Sequence, residues 1–120
     1  MYSETVQRIL ADPAHMGPLE GATHKGVAGV PGEGPYLILW LQVEGDKILQ
    51  ASFQTYGCPS AVASGSITAT VLTGRTLQQA QLVEAGDILL LLGGLPPGKE
   101  YCADLGATAL KEALKGKEQP

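Results

Sequence analysis

Two runs of bulky residues, 36–43 (YLILWLQV) and 48–55 (ILQASFQT), stand either side of Glu44-Gly45-Asp46-Lys47, and this arrangement constrains the fold more than any other feature. Both runs read as strands, and a four-residue break containing Gly suits a hairpin turn. Helical patterns follow the pair without any further strand-helix alternation, so parallel crossover units are excluded. The expected class is α+β: a two-layer domain in which a small antiparallel β-sheet packs against several helices.

The flanking sequence fills in this frame. Ser3 can cap a first helix over residues 4–10, with Val6, Ile9 and Leu10 at helical spacing and Asp12-Pro13 as its stop. Residues 16–34 are rich in Gly and Pro and read as a long loop with room for one brief strand. After Tyr56-Gly57-Cys58, Pro59 falls where the first turn of a helix tolerates it, which places Cys58 at the N-cap. That helix runs to Leu72 through small and β-branched residues that let its backbone approach a sheet, and Gly74 ends it. Thr76 and Gln79 form a capping box for a helix carrying Leu77, Ala80 and Val83. Ala85-Gly86-Asp87 then leads into a short apolar segment closed by Gly93-Gly94. A final helix follows Pro96-Pro97-Gly98, with one buried stripe at Leu105, Ala109, Leu110, Ala113 and Leu114.

A chain of 120 residues fits a single domain, expected over residues 1–115, with a polar tail at 116–120. A formal charge of −4 provides no basic excess for phosphates or anionic lipid, so neither nucleic acid nor membrane is an expected partner. The longest apolar run, residues 36–41, is far short of the roughly 20 residues that a bilayer span needs. The N-terminus lacks the basic start and apolar core of a secretion signal, and a cytoplasmic location is expected. Cys58 and Cys102 lie 44 positions apart, which matches neither a zinc finger nor a disulfide-dense framework. They should be thiols in a reducing cytosol, or bridged if the source is a hyperthermophile.

Both cysteines fall near a predicted helix start, where partial positive charge favours thiolate and predisposes each to react or ligate. Cys58 lies in a Tyr-Gly-Cys-Pro turn outside any apolar stripe, which favours a functional role over a buried filler. Cys102 fits a ligand and an ordinary core cysteine equally, since its spacing to Leu105, Gly106 and Ala109 lies along the buried stripe. His15 and His24 read as surface polar groups, and nothing in their spacing to Cys58 indicates a catalytic dyad. Gly32-Glu33-Gly34 lacks the Lys and Ser or Thr of a phosphate-binding loop. Glu33 is the one carboxylate inside the Gly-rich loop; a solvated loop residue is its plainer reading, a metal ligand its functional one.

Three stretches together resemble the U-type iron-sulfur cluster scaffolds, the NifU, IscU and SufU-like family. YSETVQRILADPAHMGPLEGATHKGVAG resembles the family's opening helix and Met-Gly loop. TYGCPSAVASGSITATVLTGRTLQQA is similar to its Gly-Cys turn and Ala/Ser-rich helix, and LPPGKEYCADLGATALKEAL to its Leu-Pro-Pro-x-Lys segment, third cysteine and last helix. The resemblance implies a non-enzymatic scaffold that holds an iron or zinc ion, or a labile [2Fe-2S] cluster. It implies a cysteine desulfurase and apo-protein acceptors as partners. Position by position, Cys58 matches the second family cysteine and Cys102 the third. Glu33 stands where the first belongs, Pro35 where the family has Asp, Tyr101 where His often precedes the third cysteine, and Gly98 where Val is usual. Metal or cluster ligation is therefore expected through Cys58 and Cys102, with Glu33 a weak third ligand. A homo-oligomer or an added small thiol would complete a cluster's coordination. The competing expectation is a metal-free interaction or regulatory module that docks on a cysteine desulfurase or another assembly partner.

Overall fold

The computed structural model describes residues 2–115. Its elements are α1 (Glu4–Ala11), β1 (His24–Gly29), β2 (Tyr36–Glu44), β3 (Lys47–Tyr56), α2 (Pro59–Leu72), α3 (Leu77–Ala80), α4 (Ala85–Leu92) and α5 (Tyr101–Leu114). The strands form one antiparallel sheet in the order β1-β2-β3, as the α+β expectation requires. The hairpin turn is tighter than expected. Glu44 and Lys47 pair with each other, leaving Gly45 and Asp46 as the loop, and Gly45 takes φ 64°, where a two-residue turn calls for Gly.

Alternation puts Leu37, Leu39 and Leu41 of β2 on one face with Phe53 of β3, and all four are fully buried. This face meets α2, which lies on β3, and α5, which lies on β1 and β2. The approach of α5 is close enough to need Gly26 in β1, because a Cβ there would collide with the backbone of Ala109 and Ala113. Behind α2 and α5 lie α1 and α4, so the helical layer is two deep. Val6, Ile88 and Leu92 fill a second apolar cluster against Ala63, Ala103 and Ala107.

Several expectations change in detail. The Gly-rich stretch 16–34 yields a full strand, β1, whose pairing with β2 overrides its two glycines. The apolar segment after Ala85 is the helix α4. Ile88 and Leu92, four residues apart, are its buried pair, and Gly93 at φ 75° caps the end. The Thr76–Gln79 capping box forms as read, yet α3 stops at Ala80, before Val83. His24, read as a surface group, is buried at the start of β1, and its Nδ1 shares a hydrogen bond of 2.9 Å with the Thr23 hydroxyl. The polar tail at 116–120 lies outside the described residues. Among the described residues, no helix is long and apolar enough to cross a membrane.

Candidate functional site

Helices α2 and α5 begin at the same end of the molecule, and this brings the two cysteines together. Cys58 is the N-cap of α2, with extended backbone (φ −83°, ψ 173°) between Gly57 and Pro59. Cys102 is the second residue of α5. Their sulfurs stand 3.9 Å apart, and both are free thiols.

The register of the two helices is fixed from inside. The Ser64 hydroxyl of α2 donates 2.7 Å to the carbonyl of Cys102. One turn further on, a Cβ at Gly106 would lie 2.7 Å from Thr68 Oγ1 and 2.9 Å from Ser64 Oγ, so the absent side chain lets the helices touch. Of the serines of α2, Ser64 belongs to this contact, whereas Ser60 and Ser66, also buried, bond to Tyr2 and to the backbone of Ala14 respectively.

The two thiols differ in setting. Burial acts to raise the Cys58 thiol, but the backbone N–H groups of Ala61 and Ser60, with the Cys102 and Ser60 side chains, outweigh it and leave the pKa below its ordinary value. No formed cap hydrogen bond holds the sulfur, and the Ala61 N–H instead donates 2.9 Å to the Cys58 carbonyl. The effect on Cys58 is therefore that of N–H dipoles at a helix start. Cys102 runs opposite to the expectation from its helix position. It is fully buried, and burial, followed by the charge and hydrogen bond of Cys58, pushes it up to about 11 against the opposing influence of Tyr101 and Lys99. The core-cysteine reading of Cys102 thus describes its packing, while its sulfur still faces Cys58. Tyr101, half-exposed beside the pair, has its phenol pushed up by Cys102 foremost, then by burial and by Cys58.

Glu33 sits elsewhere in character. It is exposed at the turn where its N–H donates 2.9 Å to the Val30 carbonyl. The loop leaves the sheet at the end where Cys58 lies: Tyr36 and Tyr56 pair across β2 and β3 with rings stacked 6.2 Å apart, and Pro35 faces Gly57. A cleft of about 360 Å³ lies here, lined by Gly32, Gly34, Tyr36 and Tyr56. Among the described residues, no three His, Cys, Asp or Glu side chains gather into a group that could hold a metal, so Glu33 does not join the cysteines in such a set. Sequence reasoning does not single out Ser64 or Lys99 as site residues. A helix partner for α5 rich in small hydroxyls is the available signal for the first, and the Lys of Leu-Pro-Pro-x-Lys for the second.

Two thiolates on a tetrahedral ion with bonds of about 2.3 Å stand roughly 3.8 Å apart. The Cys58–Cys102 separation fits that spacing.

Comparisons with known proteins agree with this architecture. The sequence matches the family model of the NifU-like N terminal domain over residues 1–119. It is 32% identical over 114 residues to the iron-sulfur cluster assembly scaffold protein IscU 1 of Archaeoglobus fulgidus, covering 95% of this chain and 74% of that one. It is 36% identical over 116 residues to the iron-sulfur cluster assembly scaffold protein IscU of Aquifex aeolicus, again covering 95% and 74%. The fold matches the crystal structure of a NifU-like protein (N-terminal) from Brucella abortus with a TM-score of 0.68 at 15% identity, over 94% of this chain and 91% of that one.

Proposed function

The chain belongs to the family of the NifU-like N terminal domain, and from that premise we propose that it is an iron-sulfur cluster assembly scaffold, not an enzyme, which holds its cargo through Cys58 and Cys102. The observation that carries the reading is the 3.9 Å separation of two thiols delivered by two different helix starts. Thiolates are strong ligands for iron and zinc, and a pair at this spacing can occupy two positions on one ion. Glu33 is a weak third candidate, on a loop that lies at the Cys58 end of the sheet where Pro35 faces Gly57. A cysteine desulfurase as sulfur donor and apo-protein acceptors as clients complete the proposed cycle.

Metal content after purification without chelator tests this reading. Zinc or iron should be present below one equivalent, and Cys58→Ser and Cys102→Ser should each lower it more than Glu33→Gln. Equal metal in the parent and both cysteine variants would remove the thiols from the site.

The grouping of two donors rather than three among the described residues favours a second reading, a metal-free module that docks on a desulfurase or another assembly protein. Metal-free protein that still binds a purified desulfurase, with both cysteine variants binding equally, would select this alternative.

A further inference from the structure

We propose that Cys58 and Cys102 form a reversible intramolecular disulfide by exchange with a low-molecular-weight disulfide, and that closing it withdraws both sulfurs from metal binding. The second clause rests on the function proposed above; the first stands on the geometry alone.

The sulfurs are 3.9 Å apart and a disulfide bond is about 2.05 Å, so closure takes roughly 2 Å of approach. Cys58 is the partner placed to make that movement. It precedes α2 rather than lying within it, its sulfur holds no cap hydrogen bond, and its neighbours Gly57 and Pro59 are exposed. Cys102 is held within α5 and tied to α2 through Ser64.

Exposure also sets the order of events. Cys58 is partly exposed while Cys102 is fully buried, so an external disulfide reaches Cys58 first. The Cys58 sulfur attacks one sulfur of the small disulfide, its S–S bond breaks, and one small thiol leaves with the proton that Cys58 gives up. The Cys102 sulfur, already against Cys58, then attacks the Cys58 sulfur of the mixed disulfide. The bond to the second small thiol breaks, and that thiol departs with the proton from Cys102. Two protein thiols are oxidised and one small disulfide is reduced to two thiols. Excess small thiol reverses both steps. The product joins the starts of α2 and α5 and leaves no thiol at the pair for a metal.

Reduced, chelator-treated protein is incubated without oxygen with glutathione disulfide and read by intact mass and by iodoacetamide labelling. The parent should lose two hydrogens, retain no glutathione, resist alkylation at both cysteines, and return to two free thiols with dithiothreitol. Cys102→Ala should trap one glutathione on Cys58, and Cys58→Ala should stay unmodified, with circular dichroism confirming that each is folded. A parent that accumulates a lasting glutathione adduct, or a Cys58→Ala variant that reacts as fast as the parent, overturns the inference. Zinc uptake is then measured on both forms. Uptake by the reduced form and none by the oxidised form is expected, and equal uptake by both overturns the second clause. A reduced parent that takes up neither zinc nor ferrous iron yet closes the bond would sink the proposed function and leave the exchange standing.

Discussion

The Ser64 hydroxyl donates 2.7 Å to the carbonyl of Cys102, and this bond fixes the depth at which α5 presents its cysteine. Both groups are buried, so the bond has no water to compete with it. Replacing Ser64 with Ala removes a net contribution of about 1 kcal/mol. Urea unfolding should report that loss, and zinc affinity should fall several-fold because the sulfur pair loosens. Unchanged zinc affinity in a variant that is clearly destabilised would show that Ser64 supports packing alone.

Thiol reactivity should separate the pair. In reduced, metal-free protein at neutral pH, iodoacetamide should label Cys58 faster than an ordinary thiol, because its pKa is lowered and its sulfur is accessible. Cys102 should label far more slowly. Peptide mapping of partly alkylated protein checks the order, and equal labelling of both residues would refute it.

Stability should depend on pH in the alkaline range. Cys102 keeps its proton in the fold until pH is near 11, while the unfolded chain loses it near 9, so the fold loses stability as pH rises from about 9 through about 11. Cys58 acts in the other direction: its lowered pKa gives stability that is fully present above the ordinary value of 9.0 and is lost as pH falls through its folded value. The alkaline fall attributable to Cys102 should be roughly 2 to 3 kcal/mol. Chemical unfolding at several pH values, compared between the parent and Cys102→Ala, isolates it; identical slopes would remove Cys102 as the source.

Reconstitution with iron and sulfide should give the monomer little colour, or a cluster lost quickly to chelator, because a cluster needs four good ligands and the chain offers two thiols. The double change Glu33→Cys and Pro35→Asp should raise cluster retention, since this loop lies at the Cys58 end of the sheet and Pro35 faces Gly57. A parent monomer that carries a full cluster through gel filtration contradicts this ligand count.

Gly26→Ala should destabilise the fold by about 2 kcal/mol or more, since the new methyl meets the backbone of α5 rather than a side chain that can turn away. Thermal unfolding measures it. A neutral result would mean that α5 can lift from β1 without loss.

Much of this architecture is legible in the sequence because local chemistry and tertiary packing agree. The hairpin follows from two bulky runs with Gly45 between them, α2 from Pro59 behind Cys58, and α5 from its stripe at Leu105, Ala109 and Ala113. Where one local signal is missing, the reading weakens. The segment ILLLL is apolar all round and has no period to mark a helix, and HKGVAG holds two glycines that argue against the strand it forms. The approach of Cys58 to Cys102 is a property of how α2 meets α5, and no spacing along the chain encodes it. The helix-start argument identifies the lowered pKa of Cys58 and fails for Cys102, where burial outweighs position.

The seam between α2, α5 and the sheet is lined by Gly, Ala and Ser, with Gly65 against Phe53 and Gly106 against Ser64 and Thr68. In such a seam the limiting property of a residue is its volume. Ser64 is as buried as Ala61 and Ala63, so polarity is tolerated there where a hydroxyl finds a partner, while a side chain at Gly65 or Gly106 would collide with its neighbours. Sequence drift at Ser64, Gly65 and Gly106 is therefore confined to exchanges among the smallest side chains, and the two cysteines keep their mutual distance as long as that size ceiling holds.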